Sequence, residues 1–465
     1  MRSVESEAAA TARGPWFLRF PQQFRRKISQ GAYRPEIDGL RFFAILFVII
    51  GHSIERAARF FPSYQRTLEG GPIEPYLQLA PLGVLLFFAI SGFILANQAL
   101  KADAGPLSGA FLKSYFGRRI MRIEPPYFLL LVATWAIIAL THWSPEGTHR
   151  FDVEPRSLNV SLVASLVYQH DLIWGTFPRL FPPGWSLEVE VQFYFLAPLL
   201  FALWAFTRTG AQRIGTAMVL TAIGVGLALL HLDKLGPLDV KYSLLRYFQY
   251  FWAGIMLAYF REPIAERVSR LPAGLSTALG WGGLGVCIAL APPFAAEGLA
   301  LEATRMLGVQ FGLGAMFAST FDKNSGFRAF CAAPWISLIG GACYSIYLIH
   351  LQVIHVFAGM VAKFAPSLPL SGVALVFLAS TVAVLLLGMI YYVQVERRFM
   401  TKNWPLAFRE YALQRLGRLS PSPASGPYLV VENAPTSVAD GESITRVAAS
   451  RDPLEAKRRS AAARP

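Results

Sequence analysis

Residues 39–57 read GLRFFAILFVIIGHSIERA, with nine consecutive apolar residues at positions 42–50. A hydrocarbon core of about 30 Å requires a helix of about 20 residues, because each residue adds about 1.5 Å of rise. The stretch has this length and an apolar centre. It therefore predicts a transmembrane helix near the start of the chain.

Nine more apolar runs follow, and together the ten predict an all-α integral membrane protein, a bundle of about ten transmembrane helices. Polar residues enter the fourth, sixth and eighth runs, so the predicted number carries an uncertainty of about one span. The predicted spans are residues 39–57, 79–99, 123–142, 188–206, 214–232, 243–260, 275–292, 300–320, 337–359 and 372–393.

The composition also indicates a membrane protein. Hydrophobic residues make up 54% of the chain and charged residues 15%, whereas soluble domains have about 45–50% apolar and about 25% charged residues. The formal net charge of +14 raises nucleic acid as a partner. However, the basic residues lie between the apolar runs and in the terminal segments, which is typical of charge that flanks a bilayer. We therefore expect the lipid bilayer as a partner, and no nucleic acid.

The three cysteines are Cys287, Cys331 and Cys343. They have neither C-x-x-C nor metal-ligand spacing, and two of them lie in or beside apolar runs. We interpret them as small hydrophobic residues and expect no disulfide and no metal site.

The positions of lysine and arginine predict the orientation, because cytoplasmic loops carry an excess of both. With a cytoplasmic N-terminus, the inner loops hold most of these residues and both termini lie inside. We expect a multi-pass protein of the inner (plasma) membrane. The inner-loop basic residues are Lys101, Lys113, Arg118, Arg119, Arg122, Arg208, Arg213, Arg261, Arg267, Arg270, Lys323 and Arg328.

Three regions are predicted along the chain. Residues 1–32 form a cytoplasmic basic segment whose aromatic residues suit a membrane interface. Residues 33–400 form the transmembrane domain. Residues 401–465 form a cytoplasmic, largely disordered tail, since Ser, Pro, Ala and charged residues dominate it from about residue 418.

Arg41 and His52 are the best candidates for a site in the first span, since ionisable groups inside a membrane are costly. Their separation of eleven residues corresponds to about 16.5 Å of rise and leaves about 20° of angular offset, so they share one helix face. Arg41 would lie near the cytoplasmic mouth and His52 deeper, which suits a long ligand with an anionic end and a reactive end. A snorkelling arginine and a histidine bonded to a carbonyl are an equally good interpretation of this pattern. An imidazole nevertheless accepts a proton readily near neutral pH.

The second cluster comprises Arg118, Arg119 and Arg122, just before Pro125. Arg118 and Arg122 are four residues apart and would share a helix face. Guanidinium groups bind phosphate oxygens in a bidentate manner. On the sequence pattern alone, ordinary membrane-flanking charge is a better explanation of these arginines than a phosphate site.

Two more clusters carry candidate residues. Glu188 and Glu190 open the fourth span in GWSLEVEVQFY, residues 184–194. An acid in the first helical turn stabilises the helix dipole, which explains Glu188 but not the deeper Glu190. Tyr347 and His350 lie three residues apart in the ninth span, where they face one cavity or form an interhelical hydrogen-bonding pair.

Six blocks of sequence, in order over residues 33–400, resemble acyltransferase family 3, the membrane O-acyltransferases of polysaccharides, lipids and small glycosides. The sequence departs from the family pattern at Glu188 and Cys343, where serine is usual, and at Arg397-Arg398, where a basic-Pro pair is usual. The blocks are YRPEIDGLR (33–41) with Gly51-His52, FFAISGFIL (87–95), RRIMRIEP (118–125), WSLEVEVQFY (185–194), YSIYLIH (344–350) and YYVQVERRF (391–399).

The resemblance implies an acyl-CoA donor, with acetyl-CoA as the first candidate, bound from the cytoplasm as a substrate rather than as a permanent cofactor. It implies that the CoA phosphates meet Arg41, Arg118, Arg119 and Arg122. His52 and Glu190 are the implied catalytic residues, and His52 either deprotonates the acceptor or takes the acyl group itself. Supporting or acceptor-binding roles fall to Asp38, Ser91, Trp185, Ser186, Tyr194, Tyr347 and His350.

The acceptor implied by the resemblance is a hydroxyl of an extracytoplasmic glycan or glycolipid, such as an exopolysaccharide or an O-antigen. Acylation of a small secondary metabolite is the alternative within the same chemistry. A different class is a non-enzymatic membrane carrier, in which intramembrane Arg, His and Glu line a path for a polar substrate. The sequence contains no obvious inverted repeat of the kind that many carriers have.

Overall fold

The computed structural model describes residues 16–25, 33–61, 79–103, 105–141, 157–175, 177–232, 242–291 and 298–400. Over these residues the regular structure is helical and contains no β-strand. The all-α fold class is therefore confirmed for the described part of the chain. Residues 1–15, 26–32 and the predicted tail 401–465 lie outside it, so the predicted domain boundaries stay predictions.

Within the described residues, ten helices of 16 residues or more overlap the ten predicted spans. They are α2 (Pro35–Phe60), α3 (Leu79–Ala99), α4 (Gly109–Thr141), α7 (Trp185–Phe206), α8 (Gly210–Leu232), α9 (Leu244–Tyr259), α11 (Ala273–Ala289), α12 (Leu299–Phe321), α15 (Cys343–Phe364) and α16 (Leu370–Tyr391).

Shorter elements connect or flank these helices. The first helix of the described residues is α1 (Trp16–Gln23), and a 3₁₀ turn precedes α7 at Pro182–Gly184. After α16 the helix widens into a π-helical turn at Tyr392–Glu396. The remaining short helices are α5 (Leu158–Leu166), α6 (His170–Trp174), α10 (Arg261–Ser269), α13 (Gly326–Ala332), α14 (Pro334–Gly341) and α17 (Arg397–Phe399).

Seven helical segments within the described residues are long and apolar enough to cross a membrane. This is the pattern of a multi-pass membrane protein. The number of about ten spans and the side of each terminus stay predictions. The seven segments are Pro35–Phe60, Leu79–Ala99, Gly109–Thr141, Pro182–Phe206, Gly210–Leu230, Cys343–Phe364 and Leu370–Phe399.

Two helix boundaries differ from the prediction in ways that affect the site. Helix α4 begins at Gly109 rather than near residue 123, so the arginine cluster is part of the helix instead of a loop. The predicted ninth span, residues 337–359, is divided between α14 and α15. Gly340 lies so close to α2 that a Cβ atom there would be 1.7 Å from the carbonyl oxygen of Asp38. This close approach leaves no room for a side chain at position 340, and α14 ends one residue later, at Gly341, before the next helix begins at Cys343.

Helices α2 and α3 lie at the centre of the bundle. In their most apolar stretches 72% and 78% of residues are buried, compared with 17% for α4. Helix α3 packs closely against α9, since a Cβ atom on Gly254 would lie 1.9 Å from the carbonyl oxygen of Ala89. Small residues permit this approach of two backbones in membrane proteins. The central position of α2 places its polar side chains inside protein rather than in lipid.

Candidate active site

A cavity lies between α2, α3, α4, α7 and α15. Inside it, the centre of a water molecule can occupy a volume of about 90 Å³. One water needs about 10–15 Å³ of such space, so the cavity has room for several ligand atoms. Eight of the thirteen predicted site residues line it: Arg41, Ser91, Arg119, Arg122, Ser186, Glu190, Tyr194 and Tyr347.

The arginines of this cavity come from two helices. Arg41 is buried on α2 and donates to the Asp38 carboxylate at 2.6 Å, so Asp38 acts through Arg41 rather than in the cavity lining. Arg122 on α4 has its Nε atom 4.0 Å from Oε1 of Glu396. Both guanidinium groups therefore have a carboxylate that holds them in place beside the open space.

Arg119 differs from these two arginines in its partner. Its guanidinium donates to the neutral side-chain amide of Gln98 at 2.6 Å. It also lies 5.7 Å from the ring centroids of both Tyr115 and Tyr194. The Nε atom is buried without a hydrogen-bond partner in the described part of the chain. Arg119 is thus well placed to bind an anionic ligand group.

Arg118 does not reach the cavity. It lies on another face of α4, where its guanidinium donates to the hydroxyl of Ser114 one turn earlier. The arginines that α4 presents to the cavity are Arg119 and Arg122, three residues apart, rather than the expected pair Arg118 and Arg122. The sequence pattern allowed either pair, because spacings of three and four both place residues on one helix face.

Glu190 lies inside the cavity on α7. The hydroxyl of Ser91, on α3, donates to its carboxylate. Trp185, at the start of the same helix, packs instead against the rings of Tyr242 and Tyr247 at centroid distances of 4.7 and 5.3 Å. Glu190 is therefore a polar group of the cavity wall, and Trp185 supports the helix beside it.

Two hydroxyl groups form the end of the cavity nearest the start of α7. The Oγ atom of Ser186 lies 2.7 Å from the hydroxyl of Tyr347 on α15. The same tyrosine hydroxyl donates to the carbonyl oxygen of Pro183 at 2.7 Å, in the 3₁₀ turn. This turn, which the sequence indicated through its proline pair, thus fixes the hydroxyls that face the open space.

His350 lies directly behind Tyr347 and is completely buried. The two rings are 5.4 Å apart. Its Nδ1 atom is 2.6 Å from the carbonyl oxygen of Tyr347, and because a carbonyl only accepts, Nδ1 carries the hydrogen. The Nε2 atom is buried without a hydrogen-bond partner among the described residues.

His52 is not among the residues that line the cavity. Its ring is 5.2 Å from that of His350. The carboxylate that contacts it is Glu55, whose Oε2 atom is 2.9 Å from Nδ1 of His52. Glu55 also accepts from Arg56 at 3.2 Å. His52 and Glu190 are the catalytic residues named from the sequence, and Glu55 is not among the predicted site residues. The signal was present in GHSIE, because residues three apart on a helix are neighbours.

Glu396 is a second residue that the site prediction omitted. The π-helical turn after α16 directs it toward the first turn of α15, where it accepts from the backbone N–H and the hydroxyl of Ser345 at 3.2 and 2.7 Å. Its other oxygen is the one near Arg122. π-Helical turns are frequent at functional sites. Glu396 thus links the end of α16 to one wall of the cavity.

Glu188 has a structural role outside the cavity. Its two carboxylate oxygens accept the backbone N–H groups of His170 and Asp171 at 3.2 and 2.9 Å. These N–H groups open helix α6, so Glu188 caps a helix other than its own. This explains the buried acid at position 188.

Replacing Glu188 with alanine should therefore lower stability rather than donor affinity. Two buried backbone donors lose their acceptor, at about 1–3 kcal/mol for each unsatisfied group. Thermal unfolding of the purified protein in detergent should show a clearly lower midpoint. The KM for acetyl-CoA should stay close to that of the wild type. An unchanged midpoint with a raised KM would place Glu188 in the binding site instead.

A family model described as an acyltransferase domain, that of acyltransferase family 3, matches residues 34–393. This range covers more than three quarters of the chain and includes every predicted site residue. No solved structure shows significant similarity to the chain.

Several curated proteins are similar over part of the chain. One from Bacillus subtilis, with the provisional name peptidoglycan O-acetyltransferase YrhL, is 26% identical over 42% of this chain and 28% of its own length. A protein of Staphylococcus aureus strain MSSA476, provisionally named an O-acetyltransferase, is 27% identical over 41% of this chain and 28% of its own length. The acyltransferase MdmB of Streptomyces mycarofaciens is 30% identical over 36% of this chain and 39% of its own length.

The aligned region thus spans between 28% and 39% of the length of these relatives. The family assignment rests on the family model, because that match runs almost continuously through the helical bundle. The ordered sequence blocks, the helical membrane fold and this match lead to one conclusion: the chain belongs to acyltransferase family 3.

Proposed function

We propose that this chain transfers an acyl group, with acetyl as the first candidate, from cytoplasmic acyl-CoA to a hydroxyl of an extracytoplasmic glycan or glycolipid. Membership of the family supports acyl transfer as the class of reaction. The names of two relatives specify O-acetylation, which supports a hydroxyl acceptor and a short acyl group. The inner membrane is the proposed location, with acyl-CoA and the glycan as substrates and no permanently bound cofactor.

The observation that carries the proposal is the arrangement of the cavity. Arg41, Arg119 and Arg122 supply guanidinium groups beside a space that also contains Ser186 and Tyr347. The phosphates of CoA suit guanidinium groups, which bind phosphate oxygens with paired hydrogen bonds. The pantetheine arm would then carry the thioester toward the hydroxyl end of the cavity.

The proposed reaction breaks the bond between the acyl carbon and sulfur and forms a bond between that carbon and the acceptor oxygen. The acceptor hydroxyl loses a proton, and the CoA thiolate gains one as it leaves. His52 would accept the acceptor proton as a general base, or would take the acyl group first as a nucleophile. In the second path the acceptor oxygen attacks an acyl-imidazole, and both paths have the same products.

The hydroxyl of Ser186 has a further proposed role. Negative charge develops on the thioester oxygen when the acyl carbon is attacked, and a fixed donor stabilises it. Tyr347 donates its one proton to the carbonyl of Pro183, so its oxygen accepts rather than donates. The Ser186 hydroxyl lies 2.7 Å from that oxygen, and it would turn its proton toward the thioester oxygen.

The test is acyl transfer in membranes that contain the protein. Membranes of the source strain, with and without the gene, are incubated with acetyl-CoA labelled in the acetyl group. The proposal predicts gene-dependent release of CoA thiol and label in the extracted glycan or glycolipid fraction. If neither depends on the gene, the proposed donor is wrong. Label in a small solvent-extractable product would favour the secondary-metabolite acceptor instead.

A further inference from the structure

We propose that Glu55 is a positioning residue of this active site, which fixes the orientation of His52 and selects His52, rather than His350, as the imidazole that takes the proton. This inference rests on the proposed function and adds a residue to it. Glu55 lies outside the cavity and would touch neither substrate. Its effect would act entirely through the ring of His52.

The first argument is the geometry on α2. Glu55 follows His52 by three residues on one continuous helix, and its Oε2 atom is 2.9 Å from Nδ1 of His52. Carboxylates at this distance hold an imidazole in one orientation and one tautomer, with the hydrogen on the bonded nitrogen. Nε2 is then the ring nitrogen with a lone pair. Both proposed reaction paths need that lone pair.

The second argument is the presence of two adjacent imidazoles. The rings of His52 and His350 are 5.2 Å apart, so a positive charge on one opposes a positive charge on the other. The hydrogen-bond partner of His350 is the neutral carbonyl of Tyr347. The partner of His52 is an acidic side chain. A carboxylate beside His52 stabilises the imidazolium that forms on that ring during the reaction, and the carbonyl that bonds His350 carries no such charge.

The surrounding charges support this assignment. On α2, Arg56 donates to the second oxygen of Glu55 at 3.2 Å, which keeps the carboxylate in place. His355, five residues beyond His350 on α15, packs against the ring of Phe60 at a centroid distance of 4.9 Å. Within the described residues near His52, Glu55 is the acidic group in hydrogen-bonding distance of its ring.

The proton balance is then complete without a change of charge on Glu55. The acceptor proton moves to Nε2 of His52 as the acceptor oxygen attacks the acyl carbon, and it finally protonates the CoA thiolate. Glu55 remains ionised throughout and stabilises the imidazolium while it exists. In the covalent path, Glu55 likewise stabilises the positive acyl-imidazolium.

The test compares Glu55→Ala, Glu55→Asp and Glu55→Gln with the wild type in membranes supplied with acetyl-CoA. The maximal rate of CoA thiol release is measured for each mole of enzyme, together with the KM for acetyl-CoA. We expect the rate of Glu55→Ala to fall about 10- to 100-fold, a fraction of what a general base contributes. The KM should stay within about twofold, because the arginines of the donor cavity are unchanged.

The conservative variants separate orientation and charge from mere bulk. Glu55→Asp should recover part of the rate because it keeps a carboxylate. Glu55→Gln, which keeps hydrogen-bonding capacity but loses the charge, should be slower than Glu55→Asp. The matched control is Glu266→Ala, which removes another helical acid that is paired with an arginine, Arg270, and is 66% exposed. Its rate should equal that of the wild type.

Three results would overturn the role of Glu55, two of them in the maximal rate and one in the KM. One is a wild-type rate in Glu55→Ala, and the other is equal loss in the alanine and aspartate variants at normal protein levels and normal thermal stability. A raised KM with an unchanged maximal rate would also contradict it. These outcomes leave the proposed function intact. If His52→Ala retains activity, the catalytic role of His52 is wrong and the role of Glu55 with it, whereas the proposed function fails only if acyl transfer does not depend on the gene.

Discussion

Replacing His52 with alanine should abolish acyl transfer while the protein still inserts into the membrane. The ring of His52 packs beside that of His350 and is hydrogen-bonded to Glu55. Within the described residues, no hydrogen bond joins this ring to the side chains that line the cavity. Its loss should therefore cost little stability. As a general base it would contribute about 10²- to 10⁴-fold to the rate, and as the acyl-carrying nucleophile its loss would leave no path.

The measurement is the release of CoA thiol from acetyl-CoA by membranes that contain equal amounts of wild-type and His52→Ala protein. His355→Ala provides a matched control. It removes another imidazole of α15, one that packs against Phe60 of α2 outside the proposed site. Activity in the control and none in His52→Ala is the expected result. Substantial transfer by His52→Ala would mean that another group performs the chemistry.

Replacing Arg119 or Arg122 with alanine should raise the KM for acetyl-CoA by about 10- to 100-fold. Each substitution removes charged hydrogen bonds to the donor, which are worth about 1.5–3 kcal/mol. The effect should be on KM more than on the maximal rate, since in the proposed arrangement the guanidinium groups would bind phosphates that do not change during the reaction. Donor saturation curves measured in membranes give both parameters.

Arg118→Ala is the internal control for this prediction. It removes the same kind of side chain from the same helix, but from a face outside the cavity. The KM for acetyl-CoA should remain near the wild-type value. An equal rise in all three variants would indicate general membrane-flanking charge rather than a donor site. A collapse of acceptor affinity with unchanged donor KM would mean that the two substrate sites are reversed.

Much of the fold could be predicted because hydropathy is a local property of a helical membrane chain. Ten runs of apolar residues coincide with ten long helices, since each helix satisfies its own backbone hydrogen bonds. The division at Gly340 and Gly341 could not be predicted in this way. Gly340 packs there against the backbone of Asp38, three hundred residues earlier, and no local pattern records that contact.

In the candidate site too, contacts between residues close in the sequence could be predicted, and contacts between distant segments could not. The helical rotation predicts that Arg41 and His52 share a face. Both lie toward α15 in the structure. Arg41 lines the cavity with Cys343, and His52 packs beside His350. Glu55 was equally local, but it was overlooked because a glutamate near a helix end is common. The partnership of Arg122 with Glu396 is a tertiary contact, so spacing along the chain carries no trace of it.

The structure shows what two of the departures from the family pattern do. Glu188 stands where serine is usual and caps the nearby helix α6. Cys343 lines the cavity beside Arg41, at the first residue of α15. Neither change removes a group from the proposed chemistry.

The central claim is that an acyl group passes from a donor on the cytoplasmic side to an acceptor on the other side. Sealed inside-out vesicles, in which the cytoplasmic face is exposed, test it most directly. Acetyl-CoA labelled in the acetyl group is added outside, and the vesicles carry wild-type or His52→Ala protein. The account predicts label on a glycan or glycolipid enclosed in the lumen, dependent on His52. Label found only on the donor side, or luminal label independent of His52, would contradict it.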